Sequence, residues 1–145
     1  MIEDDIQTLV EMGAKAHKES AYNVMSYSPE RCIDLGKQIL THPDFMLCSV
    51  VEKNEQIIAF LMAECCPAYF SDEKTASDLL VYVLPEHRGS RAFLLLCLDY
   101  VAWAKRQGAK IIFLSNTTGY EPEKVGKLYQ QLGFEQIGGI YRMEV

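Results

Sequence analysis

The stretch from Ala76 to Gly108 constrains the fold more than any other part of the chain. Ala76 to Leu84 reads as a strand, and Pro85 ends it because a proline nitrogen cannot donate to a ladder. The polar turn Glu86-His87-Arg88-Gly89-Ser90 then leads into an unbroken helical pattern from Arg91 to Gln107. Leu94, Leu98, Val101 and Ala102 are the expected buried face of this helix; Lys105 and Arg106 suit its negative end, and Gly108 is its expected left-handed terminator. Lys110 to Leu114 follows as a short buried strand. Strand, helix and strand in this order form a crossover unit, which sets two strands parallel with the helix on one sheet face.

The flanks supply the other layers. Asp4 or Asp5 is positioned to cap a first helix with Ile6, Leu9, Val10 and Gly13 at helical spacing, and Ser28-Pro29-Glu30 opens a second with Cys32, Ile33, Leu35, Gln38 and Ile39. Phe45 to Glu52 and Gln56 to Cys66 are apolar runs joined by Lys53-Asn54-Glu55, the pattern of an antiparallel hairpin. Glu121-Pro122-Glu123 begins a last helix that Gly133 stops, and Phe134 to Ile137 and Ile140 to Val145, around Gly138-Gly139, are expected as two closing strands. The expected architecture is α/β in the order ααβββαβαββ: a mixed sheet in a three-layer arrangement with helices on both faces. At 145 residues with no linker or repeat, residues 1–145 are expected to form one domain.

Composition narrows the function. The net charge of −6 opposes attraction to phosphate backbones, so nucleic acid is an unexpected partner and a cationic one is mildly favoured. The apolar run Ala92 to Leu98, which no other exceeds, is far shorter than the roughly 20 residues of a membrane span. The acidic start, Met1-Ile2-Glu3-Asp4-Asp5, is unlike a secretory signal, and a cytoplasmic location is the expectation. Five cysteines without C-x-x-C spacing read as reduced core residues, and His17, His42 and His87 are scattered, giving no metal-ligand spacing or nucleophilic triad. His87 and Trp103 are read as structural.

The Arg88 to Arg91 turn has the makings of an anion site. Unpaired amides at a helix start, the positive end of the helix dipole and two arginines converge there, and Ser90 is placed to cap the helix and touch phosphate. An ordinary strand-to-helix turn with solvated arginines is the alternative at this point.

This strand, the Pro-Glu-His-Arg-Gly turn, the long helix, the short strand and the Tyr-x-x-Leu-Gly-Phe sequence from Tyr129 to Phe134 together resemble the GNAT superfamily of acetyl-CoA-dependent N-acetyltransferases. The likeness covers Ala76 to Val145, and the earlier elements fall in the family's order. In that family the turn wraps the cofactor pyrophosphate, usually within Arg/Gln-x-x-Gly-x-Gly/Ala. Arg88 holds the first position here, with Gly89 and Ser90 in the turn, but Arg91 and Phe93 stand at the two small positions and cannot reproduce a glycine's close approach. A turn Arg-Gly-Ser-Arg of this kind looks like that of divergent, including phage-type, members, in which Arg91 would neutralise a phosphate with its side chain. Phe93 is read as core.

The resemblance implies further roles. Tyr129 would protonate the leaving thiolate, although its helical face with Val125, Leu128 and Leu132 would also explain it as packing. Asn116 would contact the pantetheine arm or serve as a turn residue. Val81, Tyr82 and Val83 would offer backbone groups to the pantetheine arm and the carbonyl oxygen. Asp78 and Glu64 are the candidate bases, each equally readable as a strand-end carboxylate at solvent; alternation sets Asp78, Leu80 and Tyr82 on one face. Loops Glu19 to Tyr27 and Pro67 to Thr75 would line the acceptor pocket, with Tyr22, Tyr27, Tyr69 and Tyr141 as walls.

The expected activity is transfer of an acetyl group from acetyl-CoA to a primary amine, on a small molecule or a protein, in a ternary complex and without a metal. The alternatives are a CoA-binding or interaction domain without catalysis, and an unrelated nucleotide-binding domain. The closing strands would be the means of forming a homodimer.

Overall fold

The computed structural model describes residues 1–145. Two helices come first, α1 (Asp5–Glu19) and α2 (Pro29–Thr41). Three antiparallel strands follow, β1 (Met46–Lys53), β2 (Gln56–Pro67) and β3 (Lys74–Val83), then the long helix α3 (Ala92–Arg106), strand β4 (Ala109–Phe113) and helix α4 (Pro122–Gln131). The sheet runs in the order β1-β2-β3-β4, with β4 parallel to β3. No helix is long and apolar enough to cross a membrane.

The three layers follow from alternation along the strands. Ala59, Leu61, Ala63, Cys65 and Ala76 face α3, where Leu96, Tyr100, Trp103 and Ala104 complete one core. Phe60 and Tyr82 face the other way, packing with Leu9, Met12, Ala16 and Ile39 of the two N-terminal helices. Ser28 caps α2 by accepting from the Arg31 amide, and Gly108 and Gly133 adopt the left-handed backbone that ends a helix, as their positions predict. Asp4 takes the N-cap position of α1 without a side-chain cap; the Asp5 carboxylate instead accepts from the Ile2 amide at 2.6 Å.

Three expectations are corrected. The buried face of α3 is Ala92, Leu96, Cys97, Tyr100, Trp103 and Ala104, while Leu94, Leu98 and Ala102 are exposed and Val101 is half-buried. An apolar run from Ala92 to Leu98 fits a buried stripe at more than one rotation about the axis, so spacing alone does not fix the face. Phe134–Ile137 and Ile140–Val145 form no strands: Gly138-Gly139 adds backbone freedom in the middle of the segment, and Ile137, Ile140, Tyr141 and Met143 stay exposed. The strands through which a dimer was expected are therefore absent from the single chain. On β3, finally, Leu80 pairs with Met62 but Asp78 with Ala63, so Leu79 is an extra residue, a bulge. One inserted residue reverses the alternation beyond it. Asp78 thus lies on the α3 side with Val81 and Val83, opposite to Leu80 and Tyr82.

The β1–β2 hairpin turns at Asn54 and Glu55, both left-handed at φ 50° and 61°. This geometry matches the sheet twist and prefers Asn-Gly. Glu55→Gly is expected to raise stability by about 1 kcal/mol, because a side chain in the left-handed region costs roughly 1–2 kcal/mol; a higher urea midpoint at unchanged slope would show it.

Candidate active site

β3 and β4 pair only from Lys74↔Ala109 to Ser77↔Phe113 and then diverge. Asp78 sits at this fork. Its carboxylate accepts from the Ser115 amide at 2.6 Å and from the Ser115 hydroxyl at 3.0 Å, tying the diverging strands together at their last common point. The Ser115 carbonyl in turn accepts from the Tyr129 hydroxyl at 2.9 Å. One serine from the loop after β4 thereby joins the candidate base to the candidate acid.

Both groups are shifted by their surroundings. Burial pushes the Asp78 carboxyl above its ordinary value, and the Ser115 hydrogen bonds offset only part of this. Burial, with the Asp78 charge nearby, pushes the Tyr129 hydroxyl above the ordinary tyrosine range, which keeps it protonated at neutral pH. The Tyr129 ring is held by Phe93, stacked at 5.9 Å and 23°, and by Phe134 at 6.2 Å. Phe93 accordingly does more than fill core: it lines the site and orients Tyr129.

Beyond the fork the inner edge of β3 is open. The Leu84 amide donates to Ile58 on β2 at 3.0 Å, so ladder alternation turns the amides of Val81 and Val83 away from β2 and into the gap, while Tyr82 has its own toward β2. Of the three expected backbone contributors, Val81 and Val83 thus have the required orientation.

The gap ends at the turn after β3. Gly89 takes a left-handed φ of 81°, Ser90 Oγ accepts from the Ala92 amide at 3.2 Å, and the amides of Arg91, Phe93 and Leu94 have no acceptor within the protein. These unpaired donors at the N-terminus of α3 suit an anion. Arg91 is exposed beside them. The Arg88 guanidinium points elsewhere: it donates to Val83 O at 3.1 Å and to Glu19 Oε2 at 2.5 Å, and lies over the Tyr120 ring at 4.5 Å. Glu19 also accepts from the Tyr82 hydroxyl at 2.9 Å, tying the end of α1 to β3.

Fork, open edge and turn border one cleft of about 540 Å³, also lined by His17, Tyr22, Tyr27, His87, Asn116 and Tyr120. Asn116 donates through Nδ2 to Pro122 O at 2.8 Å, which makes it a turn residue whose side chain also borders the cleft. Glu64 is not among the lining residues. It is exposed, pairs with Ser77, and borders a separate hollow near Tyr69 and Phe70. Tyr69 and Tyr141 are almost fully exposed and likewise lie outside the cleft. Sequence reading missed Ser115 and Glu19, whose partners stand 37 and 69 residues away along the chain.

The profile of the Acetyltransferase (GNAT) family matches residues 14–134. The chain belongs to the GNAT family. No curated protein sequence matches it. Among solved structures, a transcriptional regulator from Bacillus halodurans C-125 shares 20% identity at a TM-score of 0.79, with 100% of this chain and 96% of that one covered. The apo aminoglycoside antibiotic 6′-N-acetyltransferase from Acinetobacter haemolyticus shares 19% identity at a TM-score of 0.75, covering 100% and 94%. AAC(6')-Iy in complex with the bisubstrate analogue CoA-S-monomethyl-acetylneamine shares 19% at 0.71, covering 96% and 94%. At these identities the likeness is one of fold. Within the GNAT fold of this chain, the family match runs from the middle of α1 to Phe134 and so takes in the fork, the turn and Tyr129.

Proposed function

We propose that this GNAT domain transfers the acetyl group of acetyl-CoA to a primary amine in a ternary complex. The observation that carries the reading is the fork, where Asp78, Ser115 and Tyr129 meet at the closed end of a gap that leads to the unpaired amides of the Arg88–Leu94 turn. A bound CoA analogue in one structural neighbour is compatible with this use of the fold.

Bound acetyl-CoA would bring a thioester whose carbonyl carbon forms the new C–N bond as the C–S bond breaks. The amides of Arg91, Phe93 and Leu94, with the Arg91 side chain, hold diphosphate charge. Val81 and Val83 extend their backbone amides along the pantetheine arm and place a donor near the carbonyl oxygen. Asp78 takes the proton that the ammonium must lose before it can attack. Tyr129 gives its proton to the departing sulfur, turning from Ser115 O to do so. The high proton affinity of both groups suits these assignments: Asp78 is a stronger base than a solvated carboxylate, and Tyr129 arrives protonated.

Thermal stability measured with acetyl-CoA, CoA and ATP tests the cofactor assignment. A ligand at 100 times its Kd adds about 2.7 kcal/mol of stability. Stabilisation by both CoA forms but not by ATP is expected; no response to either CoA form would end the reading. Arg91→Ala is expected to weaken acetyl-CoA binding about tenfold, equivalent to roughly 1.4 kcal/mol for one charge-assisted contact. Titration calorimetry at two salt concentrations checks it, with the loss smaller at high salt.

One observation favours a second reading, CoA binding without catalysis. Arg88 is paired with Glu19, and Arg91 and Phe93 occupy positions the family fills with small residues. CoA-dependent stabilisation combined with no thiol release on any amine would select it.

A further inference from the structure

The cleft does not end at the fork. It continues beneath α1 and α2 on the far side of the sheet, into a chamber bounded by Leu9 and Val10 of α1, Leu35 of α2, Phe60 and Met62 of β2 and Leu80 of β3. These walls are apolar, and 21 of the 37 residues lining the whole cleft are hydrophobic. The bulge at Leu79 makes this continuity possible, because it places Leu80 in the chamber while Asp78 stays at the fork.

The acids of the cleft are already engaged. Glu19 is paired with Arg88 and bonded to Tyr82, Asp78 is bonded twice to Ser115, and Glu121 is paired with Lys124 at 3.2 Å. An acceptor carrying several ammonium groups would find no carboxylate free to match its second and third charges, and burying them unpaired is costly. His17 also borders the cleft, but its Nε2, which has no hydrogen bond, is buried away from the cavity surface and meets no occupant there. The His17 ring lies 5.4 Å from that of Tyr27, whose hydroxyl is itself committed to Val10 O at 2.8 Å.

We propose that the acceptor is a monoamine on an apolar body, an alkyl- or arylalkylamine. The amine nitrogen lies at the fork within reach of Asp78, and the apolar body fills the chamber between the helix pair and the sheet. This rests on the amine-acetylation reading above and narrows it to a substrate class.

The test is acetyl-CoA-dependent thiol release by the full chain with hexylamine, phenethylamine and tryptamine against spermidine and kanamycin. The apolar amines are expected to exceed the polycations by at least tenfold in kcat/KM. The same amines are titrated calorimetrically into the CoA-saturated protein, so that binding is read separately from turnover. Leu35→Glu, which adds a carboxylate to the half-buried chamber wall, is expected to raise KM for the apolar amines about tenfold and to bring the polycations closer to them. CoA-dependent thermal stabilisation confirms that this variant is folded; if it is not, the panel on the parent protein decides. Preference for spermidine or kanamycin, or equal use of both classes, would overturn the proposal. So would binding of CoA with no apolar amine bound or acetylated, whereas failure to bind CoA at all would instead remove the acetylation reading.

Discussion

Tyr129→Phe is expected to lower kcat by about 10²–10⁴-fold, the usual contribution of a positioned acid, with little change in the Kd for acetyl-CoA. The substitution isolates the hydroxyl because the ring is held by Phe93 and Phe134, contacts that phenylalanine keeps. Its structural cost is one hydrogen bond to the Ser115 carbonyl, worth about 1 kcal/mol. A loss of activity far beyond what that small destabilisation allows, in a variant that CoA still stabilises, would assign the hydroxyl to the reaction. Turnover within a few-fold of the parent would leave Tyr129 as packing at the fork. Steady-state kinetics beside calorimetric binding separates the two, because a merely structural role would move both together.

What the sequence makes legible here is local, and what it hides is long-range. Pro85, Gly89 and Gly108 mark the strand end, the turn and the helix stop through their own backbone restrictions, so the crossover unit is readable residue by residue. The face of α3 is not: from Ala92 to Leu98 every residue is apolar, and only the sheet's demand for Leu96, Tyr100 and Ala104 chooses the rotation. The bulge at Leu79 leaves no mark in composition, since any residue can be the inserted one, yet it moves Asp78 across the sheet and brings it to Ser115. Asp78 thus stands at the fork although simple alternation assigns it to the opposite face. Glu64 is the converse, a plausible carboxylate on a well-read strand that pairing with Ser77 leaves outside the cleft. Arg88 was readable as a member of the turn, but not its commitment to Glu19, because nothing local announces a partner 69 residues earlier.

Asp78→Asn separates base from clamp at the fork. Asparagine keeps an oxygen that can accept from the Ser115 amide, so the strands remain tied, but it takes no proton from an ammonium at neutral pH. With Asp78 as base, kcat falls by about 10²–10⁴-fold, and the acid limb of the pH–rate profile disappears. In the parent this limb lies above the ordinary carboxylate range, because the base works only once the raised carboxyl has ionised. Ser115→Ala moves the limb further alkaline: it deletes the hydroxyl bond that favours the charged form and leaves the amide bond in place. Stability runs in the opposite sense, which excludes unfolding as the cause of lost activity. Between the ordinary carboxylate pKa and the raised native one, the folded state holds a proton that the unfolded state has released. The contribution of Asp78 is therefore complete below that window and lost as pH rises through the native value. Above it the parent carries a desolvated charge that asparagine lacks, so Asp78→Asn at pH 7 should be at least as stable as the parent, and urea titrations should show a change in stability from pH 4 to pH 7 that is more positive in the variant than in the parent. An inactive but equally stable variant identifies the base; an active variant with an unchanged acid limb makes Asp78 the tie between β3 and the loop after β4, and passes the proton to water.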